Sequence, residues 1–129
     1  MGLVLIHIGG TADAAIHATT RTNWTVRERS KVEFGCESTL GSMIRWHYNR
    51  PPGKDLIVLY NGYSLDSNAA GRFSVTRTAS SNEITINNVA IEDSGVYSCH
   101  EMKNISRNVT FQLVVIGISF INVLQTNNL

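Results

Sequence analysis

The stretch Asp93-Ser94-Gly95-Val96-Tyr97-Ser98-Cys99 is the most informative part of this sequence. It ends on the second of two cysteines, and a tyrosine lies two residues before that cysteine. Working outward, the first cysteine is Cys36, and Trp46 follows it by ten residues. Many chains contain two cysteines, but few combine them with aromatic residues at these spacings. The combination therefore indicates one particular fold class.

Apolar residues elsewhere in the chain recur at every second position, which is the period of half-buried strands rather than of helices. They form short sets: Val32, Phe34 and Cys36; Ile44, Trp46 and Tyr48; Phe73 and Val75; Ile84 and Ile86; Tyr97 and Cys99; Val109, Phe111, Leu113 and Val115. Turn signals such as Asn61-Gly62 separate the sets. The pattern predicts an all-β, two-sheet antiparallel sandwich, with one short helical turn near 89–93.

The chain resembles immunoglobulin V-set domains from about residue 20 to 116. The turn Arg50-Pro51-Pro52-Gly53-Lys54-Asp55-Leu56 resembles the one after the tryptophan strand, and Gly71-Arg72-Phe73-Ser74-Val75 resembles the start of strand D. Residues 83–89 resemble strand E. The resemblance implies a V-type sandwich with Greek-key topology, in which residues 60–71 are long enough for the extra strands C′ and C″.

The same resemblance implies specific contacts. Cys36 and Cys99 are expected to form a disulfide that joins the two sheets through the core, with Trp46 packed against it. Tyr97 is expected to pin the corner before the second cysteine. In this family the arginine that opens strand D pairs with the aspartate before strand F. The implied ion pair here is Arg72 with Asp93.

The chain has 129 residues, a net charge of +1 and 16% charged residues. This length suits one ordinary domain, and this charge does not favour nucleic acid or an anionic membrane surface as a partner. We expect a leader or remnant at 1–19, the V-set domain at 20–116, and a tail of unknown role at 117–129. The apolar stretch from 111 to 124 is too short and interrupted to span a membrane.

The cysteines favour an oxidising compartment, so we expect a secreted protein or a cell-surface ectodomain. Three Asn-x-Ser/Thr sequons, at Asn23, Asn104 and Asn108, agree with secretion and predict glycosylation. Enzymatic motifs are missing: the sequence has no glycine-rich phosphate loop, no HExxH and no nucleophile elbow. We therefore predict no catalytic residues, no cofactor and no metal.

The expected binding surface is the outward side of one sheet. By the V-set resemblance this sheet is built from the last strand (G), the strand of Cys99 (F), the strand of Trp46 (C) and the strand that follows it (C′). Because Trp46 and Cys99 point inward, alternation points His47 and His100 outward on neighbouring strands. The outward candidates are His47, Asn49, Ile57, Tyr60, Ser98, His100 and Met102. The two histidines suit a pH-sensitive patch, a metal bridge between molecules or ordinary solvated side chains. If they lie at a contact, protonation should weaken binding between about pH 7 and 5.5.

Two departures separate this chain from rearranged antigen receptors. Asn49 stands where those domains usually carry glutamine, and Thr110-Phe111-Gln112-Leu113-Val114 lacks both glycines of their Phe-Gly-x-Gly bulge. A regular last strand is therefore expected. The leading hypothesis is a receptor module that binds another V-set domain, with a homodimer as one form. An antigen-receptor variable domain that binds through its loops, and a structural spacer, stay open.

Overall fold

The computed structural model describes residues 16–49 and 56–118. Predictions for the leader, for the turn at 50–55 and for the tail from 119 onward lie outside the described residues. The strands are β1 (Ile16–Ala18), β2 (Asn23–Arg27), β3 (Val32–Ser38), β4 (Ile44–Asn49), β5 (Leu56–Tyr60), β6 (Phe73–Arg77), β7 (Ser81–Ile86), β8 (Gly95–Glu101) and β9 (Asn108–Ile116). A 3-10 turn, η1 (Ile91–Asp93), precedes β8 where the sequence predicts a helical turn.

Within the described residues, the strands form a four-stranded sheet in the order β1-β3-β7-β6 and a five-stranded sheet in the order β2-β9-β8-β4-β5. Neighbouring strands pair antiparallel except β2 and β9, which run parallel. The N-terminal segment thus contributes β1 to one sheet and β2 to the other. The predicted all-β sandwich is confirmed.

The core lies between the sheets and centres on the disulfide between Cys36 of β3 and Cys99 of β8. Trp46 is fully buried, and its indole N–H donates to Asn82 Oδ1 at 2.7 Å across the two sheets. Phe34 packs against Tyr97 and Phe111, with ring centroids 5.0 and 5.1 Å apart. The apolar residues that recur at every second position of the sequence therefore point to the same side of their strands and form one apolar layer between the sheets.

The stretch at 93–99 forms the corner that leads into β8. The Tyr97 hydroxyl donates to the Asp93 carbonyl at 2.6 Å, which closes the turn from within. Asp93 is buried. Its carboxylate accepts hydrogen bonds from the two terminal guanidinium nitrogens of Arg72 and, at 2.7 Å, from the Ala90 N–H. The hydrogen bond to Asp93 raises the pKa of Arg72. The corner thus ties η1, the loop before β6 and β8 together.

Gly95 is the residue that this corner requires. Its φ is +149°, in a region that residues with side chains rarely adopt. A Cβ there would lie 2.8 Å from both the Asn49 carbonyl oxygen and the Tyr48 ring. The glycine therefore lets β8 start directly against β4.

The structure differs from the sequence-based expectations in two places. In the described part of the chain, the sandwich already includes β1 at Ile16–Ala18, which pairs with β3 and lies before residue 20, from which we expected the domain. Residues 61–71, all of which are described, contain no C″ strand, and only an isolated bridge joins Tyr60 to Leu65. By contrast, β8 and β9 pair in continuous register, as the loss of the two glycines predicts.

Among the described residues, no helix is long and apolar enough to cross a membrane.

Candidate functional site

The outward surface of the five-stranded sheet, hereafter the outer face, is organised in three rows by strand register. The lower row consists of Leu56, Asn49, Val96, Gln112 and Asn23. The middle row consists of Val58, His47, Ser98 and Thr110. The upper row, next to the loop between β8 and β9, consists of Arg45, His100 and Asn108. Each row spans neighbouring strands, so its side chains form one continuous strip.

The two histidines of the outer face stack on each other. The ring centroids of His47 and His100 are 4.3 Å apart, with 36° between the planes. Sequence alternation placed them together correctly, but His47 is only 7% exposed because its neighbours cover it. Neither of its ring nitrogens has a hydrogen-bond partner among the described residues. His47 is therefore a covered residue beneath the surface rather than a contact residue.

The surroundings of His47 disfavour its charged form. Burial is the largest cause, and the positive charges of His100 and Arg45 add to it, which lowers the pKa of His47 to about 4. His47 thus stays neutral through the range from about pH 7 to 5.5. Protonation of His47 therefore does not account for the expected weakening of binding between about pH 7 and 5.5, which stays a prediction.

His100 is held between strand and loop by two hydrogen bonds. Its Nδ1 lies 2.9 Å from the Ile105 carbonyl oxygen, and its Nε2 lies 2.9 Å from the Ser98 hydroxyl. A carbonyl only accepts, so Nδ1 carries a proton, and Nε2 shares a hydrogen bond with the Ser98 hydroxyl. Both ring nitrogens of His100 are thus engaged within the chain.

Two of the expected outward anchors lie elsewhere. Tyr60 is only 5% exposed and belongs to the core cluster, so the prediction that it faces outward is wrong. A register shift between Trp46 and His47 places Tyr60 opposite Trp46, whose side chain is in the core. Such an irregularity adds a residue to one strand and breaks the alternation from which the face was predicted.

Ile57 is also out of phase with the outer face. It pairs with Tyr48, a core residue, and it is 39% exposed. It lines a shallow cavity of about 210 Å³ at the base of the sandwich, together with Arg72 and Asp93. The prediction that Ile57 is an outer-face anchor is therefore wrong.

The remaining expected residues occupy the outer face or its border. Asn49 is exposed in the lower row, and Ser98 is nearly covered in the middle row. Met102 lies just past the end of β8, and its thioether packs over Gly62, where a Cβ would clash with the sulfur. Met102 thus fixes the loop after β5 against the loop after β8.

Sequence reasoning missed the apolar residues that the outer face does expose. Leu56 is 54% exposed and Val96 is 37% exposed in the lower row, and Val114 continues the face on β9. Alternation from Tyr97 and Phe111 could have found Val96 and Val114. Leu56 and Val58 depend on the register shift in β5, which has no signal in the period-two pattern.

A second cluster of exposed apolar side chains lies on the loops at the upper end of the sandwich. Leu40, Tyr63 and Ile105 are all exposed, one on each of three loops. The loops touch, because Met102 N–H donates to the Met43 carbonyl at 2.9 Å and Met102 packs on Gly62. These tips form a candidate surface separate from the outer face.

The sequon asparagines take three different positions. Asn104 is exposed in the loop after β8, and its Oδ1 accepts from the Ser106 N–H and hydroxyl. Asn108 begins β9 in the upper row, and Asn23 lies on the edge strand β2 in the lower row. In the described part of the chain, no group of three or more metal-binding side chains occurs.

Residues 19–116 match the immunoglobulin V-set domain family. The chain is also similar to "Ig kappa chain V region 3368" of Oryctolagus cuniculus, with 26% identity over 80 residues, which are 60% of this chain and 71% of that protein. The matched family span contains every strand from β2 to β9.

Proposed function

Because the chain belongs to the immunoglobulin V-set family, we propose that it is an extracellular recognition module that binds a second V-set domain through its outer face. Domains of this family are generally recognition modules without catalytic activity, and they commonly pair with protein partners. The disulfide suits an oxidising, extracellular setting. The second domain is either another copy of this chain or a related receptor.

The observation that carries the proposal is the lower row. Leu56 and Val96 are exposed apolar side chains, and the polar members between and beside them are uncharged amides. Interface centres are depleted of charge and combine apolar contacts with hydrogen-bonding groups. A surface without charge also brings no like charges together when a second copy of the same row faces it.

The opposite sheet supports the choice by contrast. Its outward positions carry three carboxylates, at Glu33, Glu37 and Glu83. Two of them pair within the sheet, Glu33 with Lys31 at 3.5 Å and Glu37 with His17 at 3.4 Å. Desolvating such groups on binding costs free energy, so this sheet suits contact with water.

A specific observation also favours the alternative, in which the domain binds through its loops as an antigen-receptor variable domain. The exposed tips Leu40, Tyr63 and Ile105 share one end of the sandwich. Similarity to a kappa chain V region agrees with this reading. In that arrangement the outer face pairs with a partner chain, and the tips contact the ligand.

Matched leucine variants separate the two proposals. Leu56→Ser and Val96→Ser are each expected to weaken self-association, or binding to a panel of V-set ectodomains, by about tenfold or more. Leu40→Ser, at a leucine on a loop tip that is even more exposed than Leu56, serves as the control and leaves that binding unchanged. Sedimentation equilibrium and surface plasmon resonance provide the two readouts. Wild-type affinity in both lower-row variants would overturn the outer-face proposal, and a loss confined to Leu40→Ser would establish loop binding.

A further inference from the structure

Asn108 combines a modification signal with a position on the outer face. It is exposed, it begins β9, and it lies directly opposite His100 in the upper row. Its neighbours Phe111 and Leu113 are buried, so the alternate positions 108, 110 and 112 all project outward. A group attached to Asn108 therefore stands on the outer face itself and not at the tip of the loop.

The local geometry leaves the side-chain amide of Asn108 free to be modified. Its Nδ2 donates one hydrogen bond, to the Ser106 carbonyl at 3.1 Å, and an amide has two N–H groups. Substitution of one hydrogen leaves the other available for this bond. The sequon hydroxyl, on Thr110, projects from the same side of the strand because the two residues are two positions apart.

We propose that Asn108 carries an N-linked glycan that covers the upper row of the outer face and confines partner docking to the lower row. This inference rests on the proposed function for its second half only. In the modification, Asn108 Nδ2 bonds to C1 of the first sugar of a lipid-diphosphate-linked oligosaccharide. The bond from C1 to the diphosphate oxygen breaks, the lipid diphosphate leaves, and Nδ2 loses one proton.

The other two sequons lie outside the upper row, although Asn23 belongs to the lower row on its edge strand. Asn104 lies in the loop beyond the rows and already forms a turn with Ser106. Asn23 lies on β2, the outermost strand of the sheet, so a sugar there can extend past the sheet edge. A bulky, solvated glycan at Asn108 instead adjoins His100, across the β8–β9 pair. Of the three sites, Asn108 therefore has the most direct effect on the upper row.

The test uses protein secreted from mammalian cells and has a readout that needs no partner. Glycopeptide mapping measures occupancy at each sequon. Hydroxyl-radical labelling of the His100 ring carbons, followed by peptide mass analysis, measures how well the upper row is covered, with exposed His17 on the opposite sheet as internal standard. Asn108→Gln removes the glycan, Thr110→Ser retains the sequon, and Asn104→Gln removes a glycan away from the rows.

We expect Asn108 to be occupied and His100 labelling to rise severalfold in Asn108→Gln but not in Asn104→Gln or Thr110→Ser. Self-association should strengthen by about tenfold in Asn108→Gln, because more of the outer face becomes available. An unoccupied Asn108, or unchanged labelling of His100 in Asn108→Gln, would overturn the proposed cover. If labelling of His100 increases in Asn108→Gln while Leu56→Ser and Val96→Ser bind as tightly as wild type, the glycan cover is supported and the proposed function is overturned.

Discussion

Asp93 connects three segments of the chain through one side chain and one carbonyl. Its carboxylate binds Arg72 and the Ala90 N–H, and its carbonyl accepts from Tyr97. Because the carboxylate is buried, loss of one partner leaves a charge that water cannot solvate. Removal of one partner of Asp93 is therefore expected to lower the free energy of unfolding.

The first prediction concerns single residues at this corner, beginning with Arg72→Ala. It leaves the buried Asp93 carboxylate with Ala90 as its remaining partner, and we expect a loss of about 1–3 kcal/mol in the free energy of unfolding. Urea denaturation measures it. Lys31→Ala, which breaks the exposed pair with Glu33, is the matched control and should stay within about 0.5 kcal/mol of wild type. Equal losses in both variants would contradict the burial argument.

The second prediction concerns His47 and pH. Its pKa is about 4 in the folded chain, below the usual value of 6.5. Above pH 6.5 the residue is neutral in both states; below it, the unfolded chain binds a proton that the folded chain does not. The contribution of His47 to stability should therefore fall as the pH drops from 6.5 to 4, by up to about 3 kcal/mol, and this contribution should not change further below that.

Chemical denaturation at several pH values tests the His47 prediction. His47→Phe removes this component of the pH dependence, whereas Asn49→Ala, an exposed variant on the same strand, retains it. An unchanged slope in His47→Phe would show that other groups cause the acid sensitivity.

At the scale of elements, buried Glu101 fixes the loop that joins β8 to β9. Its Oε2 accepts the Ser38 hydroxyl at 2.8 Å, and its Oε1 lies 3.8 Å from the Arg107 guanidinium. The end of β3 and the loop are thus joined to one carboxylate.

The third prediction follows from the position of Arg107 beside the buried Glu101 carboxylate. Arg107→Ala removes the cation facing a buried carboxylate, and we expect about 1–3 kcal/mol of destabilisation with faster amide exchange at 102–107. Lys103→Ala changes an exposed cation in the same loop and is expected to have little effect. Hydrogen exchange followed by mass spectrometry distinguishes them, and similar exchange in both variants would exclude a role for the Glu101 pair.

The strands show what could be predicted from the sequence and what could not. Alternation placed Trp46, Tyr97 and Phe111 in the core because β4 pairs with β8, and β8 with β9, in regular register. It failed in β5, where a register shift moves Tyr60 inward, since the shift is set by pairing with β4 rather than by local sequence. Alternation also predicted which side of the sheet His47 faces. It did not predict that His47 is buried, because residues of the neighbouring strands cover the side chain.

At the scale of the whole molecule, the disulfide closes a loop between residues 63 positions apart. The fourth prediction is that replacement of both cysteines, as Cys36→Val with Cys99→Ala, costs about 4 kcal/mol in the chain-entropy model. Denaturation of this variant beside Glu33→Gln, which alters a half-exposed side chain of the same strand without touching the bridge, measures the difference. A loss no larger than that of Glu33→Gln would contradict the estimate.

The parallel pairing of β2 with β9 has a mechanical consequence. The chain enters β2 at Asn23, beside Gln112, and leaves β9 at Ile116, beside Arg27. Tension applied from before β2 and after β9 therefore pulls the two strands past each other along their length. The hydrogen bonds between them share the load at once instead of opening one by one, so the domain should resist stretching until it yields in a single step. A domain built this way can keep its outer face intact while tension acts along the chain.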